Sequence, residues 1–419
     1  MNPKKLQFGR YDYASFSAFA MYAMCSLVIP LMIVAIGKSL GFPLDDGGKS
    51  AGGTLHAVRS IFMTFSLLFC GIISARFGKR LTLGASVMLF GTGIMCCAFS
   101  TQYWMLTLCL IIAGTGEGIC EGIATPFIQD LHPVEPERYV GFSHSFWSVG
   151  IVCAVFIVGG AMALGANWRI VIAIIGILSI FSSLLLLWKE NPQKKYPEAT
   201  QKADIPDLLQ KTSVIIKQPR FWRCCAAMFF GAGAEFGLTF WSAAYLELNF
   251  KTSVFVAGCG TGTIAAGMFF SRTLSGYISK PANLRYILVT AALATLPVTL
   301  ILALLKPGMM PSWALFTILF ILLFLSGMGI GPYWPVMQVY GVLNMPHCDS
   351  TLLYIYFSAM GIPGAGFFSW LMGFCGDKFG LIGTIMVVPC SLVIFLGILY
   401  CECWYCSKKI PTPTLMRLE

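Results

Sequence analysis

Apolar runs alternate with short polar breaks along the whole chain. Twelve runs come close to the roughly 20 residues that a helix needs to cross the hydrocarbon layer. They cover about 12–37, 51–75, 81–99, 103–129, 140–164, 168–188, 222–247, 252–279, 285–305, 311–337, 349–375 and 380–404. The one long polar stretch is 189–221, KENPQKKYPEATQKADIPDLLQKTSVIIKQPR. Within it, DIPDLLQKTSVIIK has the pattern of a short amphipathic helix lying on the inner membrane surface. Asp204 is placed to cap it, Pro206 suits its first turn, and Leu208, Leu209, Val214, Ile215 and Ile216 are its apolar residues. The first run follows Lys4, Lys5 and Arg10 and extends from Tyr13 to about Ile36. That is too long for the apolar part of a cleaved signal peptide, so it reads as the first span.

Six runs, a polar loop and six more runs imply two similar halves. FWSVGIVCAVFIVGGAM from Phe146 resembles FSAMGIPGAGFFSWLMG from Phe357, each in the fifth span of its half. GTGEGICEGIATP in span four and GMGIGPYWPVM in span ten share a glycine-rich start at nearly the same offset. The fold expected is an all-α membrane protein of 12 helices in two pseudo-symmetric six-helix bundles. The expected division is 1–188, a linker at 189–221, and 222–419 with a short tail. Two repeats about a central cavity are transporter architecture.

Composition agrees with this pattern. Of 419 residues, 57% are hydrophobic and 11% charged, against about 25% charged in soluble domains. Mean hydropathy is +0.78. The net charge of +10 is explained by where the cations fall. Lys4, Lys5, Arg10, Arg76, Lys79, Arg80, Arg138, the lysines and arginines of 189–223, Lys280, Arg285, Lys408, Lys409 and Arg417 lie on one side; Lys38, Lys49, Arg169, Lys251, Lys306 and Lys378 lie on the other. By the positive-inside rule both termini and the long loop are expected in the cytoplasm, in an inner cell membrane, with no nucleic-acid partner. Most of the 16 cysteines sit in apolar runs and act as small hydrophobes. Cys401, Cys403 and Cys406 cluster, but no histidine or fourth thiol completes a metal site there. No Walker-type Gly-Lys-Ser/Thr stretch, HExxH or nucleophile elbow occurs, so neither an enzyme nor a cofactor is expected.

Ionisable residues within a span are costly and are functional candidates by default. Glu117 and Glu121, in AGTGEGICEGIATPFIQD, are four apart and share a helix face. Two carboxylates in a dry site cannot both ionise cheaply and titrate as a unit. Such a pair suits a carrier that takes up a proton on one side and releases it on the other. His56 and Arg59 share a face of span two. Arg59 is either a substrate anchor, with its planar donors, or the partner of Glu117. Glu235 lies midway along span seven, with a substrate or gating role. Arg272, near the end of span eight, reads as part of a structural latch. Trp147, Trp241, Tyr333, Trp334, Tyr354 and Tyr356 are aromatic candidates for stacking on a sugar face.

On these motifs the chain resembles the major facilitator superfamily. GIISARFGKR (Gly71 to Arg80) stands where that superfamily carries Gly-x-x-x-Asp-Arg-x-Gly-Arg-Lys between spans two and three. Gly71, Arg76, Gly78, Lys79 and Arg80 match, and Ala75 replaces the aspartate. The resemblance implies a cytoplasmic latch there, with Asp130 as a replacement partner for Arg76 or Arg80. Three stretches resemble the fucose–galactose–glucose:proton symporter family: EGIATPF, GAGAEFGLTFWSAAYL and GIPGAGFFSWLMGFCGDKFG. That resemblance implies proton uptake at Glu121. The family's span-one aspartate is Ser26 here.

The function expected is import of a small polar solute, a sugar or sugar derivative including sugar acids, by proton symport. The partners are solute, protons and lipid, and the chain is expected to be a monomer. Export of amphipathic compounds, an organic-anion carrier and sodium coupling stay open. A transport-silent sensor is disfavoured because the loop at 189–221 is too small for a signalling part.

Overall fold

The computed structural model describes residues 6–132, 136–188, 205–278 and 282–409. All regular structure in these residues is helical: α1 (Arg10–Leu40), α2 (Lys49–Phe77), α3 (Lys79–Cys97), α4 (Tyr103–Leu131), α5 (Pro136–Ala163), α6 (Trp168–Leu187), α7 (Ile205–Ile216), α8 (Pro219–Phe250), α9 (Val254–Ile278), α10 (Leu284–Leu304), α11 (Ser312–Ile330), α12 (Tyr333–Leu343) and α13 (Ser350–Lys409). Eleven stretches of the described residues are long and apolar enough to cross a membrane, counting α11 and α12 as one. The last of them bends at Gly380, whose φ of 71° breaks the helix and is open to a residue without Cβ. It therefore makes two passes, and the twelve expected spans are all present.

α1 to α6 form one half, and α8 to α13 the other. The short amphipathic helix expected in the linker is α7. It leans on the second half: Thr212 Oγ1 and Tyr356 Oη are 2.6 Å apart, and Lys211 lies 3.7 Å from Asp349. Asp204, its expected cap, and 189–203 fall outside the described residues.

Packing within the first half is set by small residues. Gly114, Gly118 and Gly122 recur every four positions on the α4 face that meets α2. A Cβ at Gly114 would come to 2.5 Å from Arg59 O. Such stripes let backbones approach where no hydrophobic force drives helices together. This close approach delivers the α2 side chains to the carboxylates of α4.

The halves meet most closely at the end of the bundle away from the chain termini. There Asp377, at the end of the first pass of α13, accepts the backbone N–H of Lys49 (3.0 Å) and Ser50 (2.7 Å), and the Ser50 hydroxyl (2.6 Å). A Cβ at Gly53 would approach Ser369 O to 2.5 Å. On the other flank Val155 of α5 packs against Gly258 and Gly262 of α9.

Candidate functional site: a charged cavity between the halves

Beneath that closure lies a cavity of about 90 Å³, space for roughly six waters. Its charged and imidazole side chains are His56, Arg59, Glu117, Glu121, His144, Glu235 and Arg272. Its apolar wall is largely aromatic: Phe19, Tyr22, Trp147, Phe236, Phe240 and Trp334. Trp147 meets Tyr22 edge-on at 4.5 Å, and Trp334 meets Phe236 edge-on at 5.7 Å.

Pro30 inside α1 has no N–H, so the carbonyl of Ser26, four residues back, loses its helical partner. Arg59 of α2 takes up this carbonyl with Nη1 (3.3 Å) and that of Cys25 with Nη2 (3.0 Å). The same guanidinium grips Glu117 with both prongs, Nε on Oε2 at 2.7 Å and Nη2 on Oε1. Ser26 Oγ donates to the same carboxylate at 3.2 Å. The serine at the expected aspartate position thus serves the arginine–glutamate pair. Four of the five guanidinium N–H groups are spent, and Arg59 is only 4% exposed. Of the two roles weighed for Arg59, the geometry is that of the Glu117 partner.

The second half repeats the device. Pro335 leaves the Gly331 carbonyl without a helical donor. Arg272 of α9 donates to it with Nε (2.9 Å) and to Glu235 Oε1 of α8 with Nη2 (2.5 Å). The other oxygen, Glu235 Oε2, is buried and has no hydrogen-bond partner among the described residues.

Glu121 differs from both. It is half-buried in the cavity lining and in no ion pair among the described residues. Its polar neighbours from the opposite half are Arg272 and Ser358. Three carboxylates against two guanidiniums leave one carboxylate over, and Glu121 is the unmatched one.

Eight of the candidates expected from the sequence line the cavity: Arg59, His56, Glu117, Glu121, Glu235, Arg272, Trp147 and Trp334. His56 holds Ser369 Oγ at 2.8 Å and stacks on Phe240 at 4.8 Å. Four aromatic candidates are elsewhere, and one of them, Tyr356, meets the linker helix at Thr212 Oγ1 (2.6 Å). Trp241 is fully buried above the cavity, donating to Ser369 O at 2.9 Å. Tyr333 packs on Phe395 and donates to Thr295 Oγ1 at 3.2 Å; consecutive helical residues point about 100° apart, so only Trp334 faces inward. Tyr354 does not line the cavity. It precedes Ile362, which does, by eight positions, or about 12 Å of helix.

The latch residues also differ from expectation. Arg272 lines the cavity and pairs with Glu235, where a latch was expected. Asp130 pairs with Lys79 (2.7 Å), not with Arg76 or Arg80. Arg80 turns inward to the carbonyls of Leu186 and Leu187 at the end of α6. Arg76 is exposed, its guanidinium 5.5 Å from the Phe77 ring. His144 is absent from the sequence candidates, yet it lines the cavity and lies 2.9 Å from Thr125 Oγ1. The signal was there: a lone titratable residue within a span.

The model of the Major Facilitator Superfamily matches residues 14–367. The chain belongs to this superfamily. Among curated proteins it is 32% identical over 127 residues to an uncharacterized transporter of Schizosaccharomyces pombe, covering 30% of this chain and 21% of that one. It is 23% identical over 191 residues to the arabinose-proton symporter of Escherichia coli strain K12, covering 45% and 40%. The chain thus matches two fifths or less of the length of these curated relatives. In fold it is similar to a bacterial homologue of the human lysosomal transporter Spinster, solved in an inward-facing and occupied conformation. The TM-score is 0.74 at 16% identity, covering 96% of this chain and 98% of that one. The members of this superfamily are transporters and not enzymes, and the relatives matched here are named transporters.

Proposed function

We propose that this transporter imports a small polar solute, a sugar or sugar derivative, by proton symport with alternating access. Glu121 takes up the coupling proton. The observation that carries the reading is the charge imbalance of the cavity. Arg59 neutralises Glu117 and Arg272 neutralises Glu235, so of the three carboxylates Glu121 is the one that gains or loses a charge without breaking a pair. A charge in a site of low dielectric is costly unless neutralised, and a proton neutralises it. Glu117, expected to share the proton, is on this reading the fixed counter-ion of Arg59. The similarity to an arabinose-proton symporter supports the solute class.

With both termini and the 189–221 linker in the cytoplasm, the closure at Asp377 faces outside, and this is the inward-facing state. Rocking of 1–188 against 222–419 about the cavity opens the other side. The Lys79–Asp130 pair sits at the cytoplasmic end and belongs to the latch there. The chain acts as a monomer in an inner cell membrane. His56, Trp147, Trp334 and Glu235 contact solute. The test is uptake into proteoliposomes over neutral sugars, sugar acids and amino acids, with and without an inward proton gradient. Uptake indifferent to the gradient in wild type and Glu121→Gln alike refutes the coupling.

A further inference from the structure

Import of a sugar or sugar derivative does not say which solute groups the cavity recognises. One edge of the same cavity narrows the solute class, provided that the chain imports such a solute. Glu235 is 1% exposed, and its Oε2 meets no donor among the described residues. A buried charged acceptor without a donor is uncommon in a finished structure and calls for a partner. Beside it, Arg272 has spent Nε on Gly331 O and one Nη2 hydrogen on Glu235 Oε1. Its other three N–H groups have no acceptor within hydrogen-bonding distance among the described residues, and its side chain is 23% exposed. Donor and acceptor therefore stand side by side on one edge of the cavity.

The charges decide what can fill that edge. Arg59 and Glu117 cancel. Arg272, Glu235 and an ionised Glu121 sum to −1, or to zero once Glu121 holds a proton. His56, His144 and Tyr22 are the other titratable side chains lining the cavity. An anionic solute would return the protonated cavity to −1 and set a second negative charge beside Glu235. A cationic solute would compete with Arg272 for Glu235 and with the proton for Glu121. An uncharged solute leaves the loaded cavity neutral. The group that donates and accepts through one atom is a hydroxyl, and the facing walls, Trp147, Trp334 and Phe236, present ring faces and edges to a C–H surface.

We infer that Arg272 and Glu235 dock a pair of adjacent hydroxyls on an uncharged, ring-shaped polyol. One hydroxyl donates to Glu235 Oε2 while its neighbour accepts from the open face of Arg272. The aromatic wall covers the opposite face of the ring. Arg272 is thereby a specificity residue, a role that its place near the end of a span does not disclose.

The test is equilibrium binding to the purified full chain in detergent, read by intrinsic tryptophan fluorescence. The probes are fucose, galactose, glucose and arabinose, the uronic acids of galactose and glucose, the corresponding amino sugars, 4-hydroxybenzoate, and deoxy analogues of the best neutral sugar. A neutral sugar is expected to bind at least tenfold tighter than its uronic acid and its amino sugar. One deoxy analogue should lose tenfold or more in wild type and bind equally with its parent in Glu235→Ala. Glu235→Gln, which keeps an oxygen for Arg272, is the variant to use if the alanine protein does not fold. Arg272→Lys should weaken the parent sugar tenfold while keeping the charge. An acid or amine that binds in place of every neutral sugar overturns the inference, as does a deoxy penalty unchanged in both Glu235 variants. Binding in detergent needs no gradient, so the two proposals separate. Neutral-sugar binding with gradient-independent uptake sinks proton coupling alone, and acid preference with gradient-driven uptake sinks the docking site alone.

Discussion

Asp377 accepts the backbone N–H of Ser50 at 2.7 Å across the boundary between the two halves. Its carboxylate also takes the Lys49 N–H and the Ser50 hydroxyl, so it caps the first turn of a helix from the opposite half, where the helix dipole favours a negative charge. The Lys49 ammonium is 3.7 Å away. Asp377→Ala removes all of these acceptors at once. Hydrogen bonds to charged groups contribute about 1.5–3 kcal/mol, so the balance between the two states should shift roughly tenfold or more toward the outward-open one. In a background without reactive cysteines, labelling of Thr239→Cys in the cavity by a membrane-impermeant maleimide from outside should accelerate accordingly. An unchanged rate means that Asp377 does not hold the closure.

Arg59 and Glu117 should behave as a buried pair. Arg59→Ala leaves Glu117 charged and unmatched at 1% exposure, and breaking such a pair costs about 3–5 kcal/mol. The melting temperature by intrinsic fluorescence should fall steeply. The double variant Arg59→Met with Glu117→Leu, which removes both charges, should recover most of the loss. Equal destabilisation in the two proteins would show that the carbonyls of Cys25 and Ser26, not the carboxylate, are what the arginine serves.

Glu121→Gln should separate exchange from accumulation. The amide mimics the protonated carboxyl, so counterflow of labelled solute across proteoliposomes persists. Accumulation driven by an inward proton gradient should drop to the level of passive equilibration. If loading requires a protonated Glu121, as proposed, uptake by the wild type should rise as the outer pH is lowered below the inner, and the variant should be flat over the same range. Accumulation retained in the glutamine protein would assign the proton elsewhere.

Gly114→Val should uncouple α2 from α4. Its Cβ alone would reach 2.5 Å from the Arg59 carbonyl oxygen, and backbone cannot yield as a side-chain tip does. Overpacking of this kind costs about 1–3 kcal/mol and displaces Arg59 from Glu117. Thermal stability should fall by that order, with solute affinity falling as the cavity wall moves. Gly160→Val, where a Cβ meets nothing within 4 Å, is the matched control and should be silent in both measurements.

The spans were legible because bilayer thickness fixes their length and lipid fixes their composition, so hydropathy alone located all twelve. The cavity carboxylates were legible for the same reason, as Glu117, Glu121 and Glu235 stand out against an apolar background. What the sequence did not disclose is rotation about each helix axis. Tyr333 and Trp334 are neighbours in the chain, yet one packs on Phe395 and the other faces the cavity. Depth was equally hidden for Arg272, whose long side chain carries its charge far from its Cα to reach Glu235. The choice of Lys79 over Arg76 and Arg80 as the partner of Asp130 likewise depends on which way three side chains leave the turn between α2 and α3. His144 was overlooked as a single residue without a motif, although its depth alone marked it.

The two guanidiniums recruited by Pro30 and Pro335 have every direct partner within their own half of the molecule. Arg59 is bound to α1 and α4, and Arg272 to α8 and the turn before α12. A transport cycle in which the bundles tilt as solid pieces therefore breaks neither charge network. Each is carried along intact, and the energetic resistance to motion is left to the few bonds at the seam. Among the cavity carboxylates it is Glu121 that looks across that seam toward a foreign cation, so under the proposed coupling the proton it holds or gives up is an electrical signal that passes from one bundle to the other.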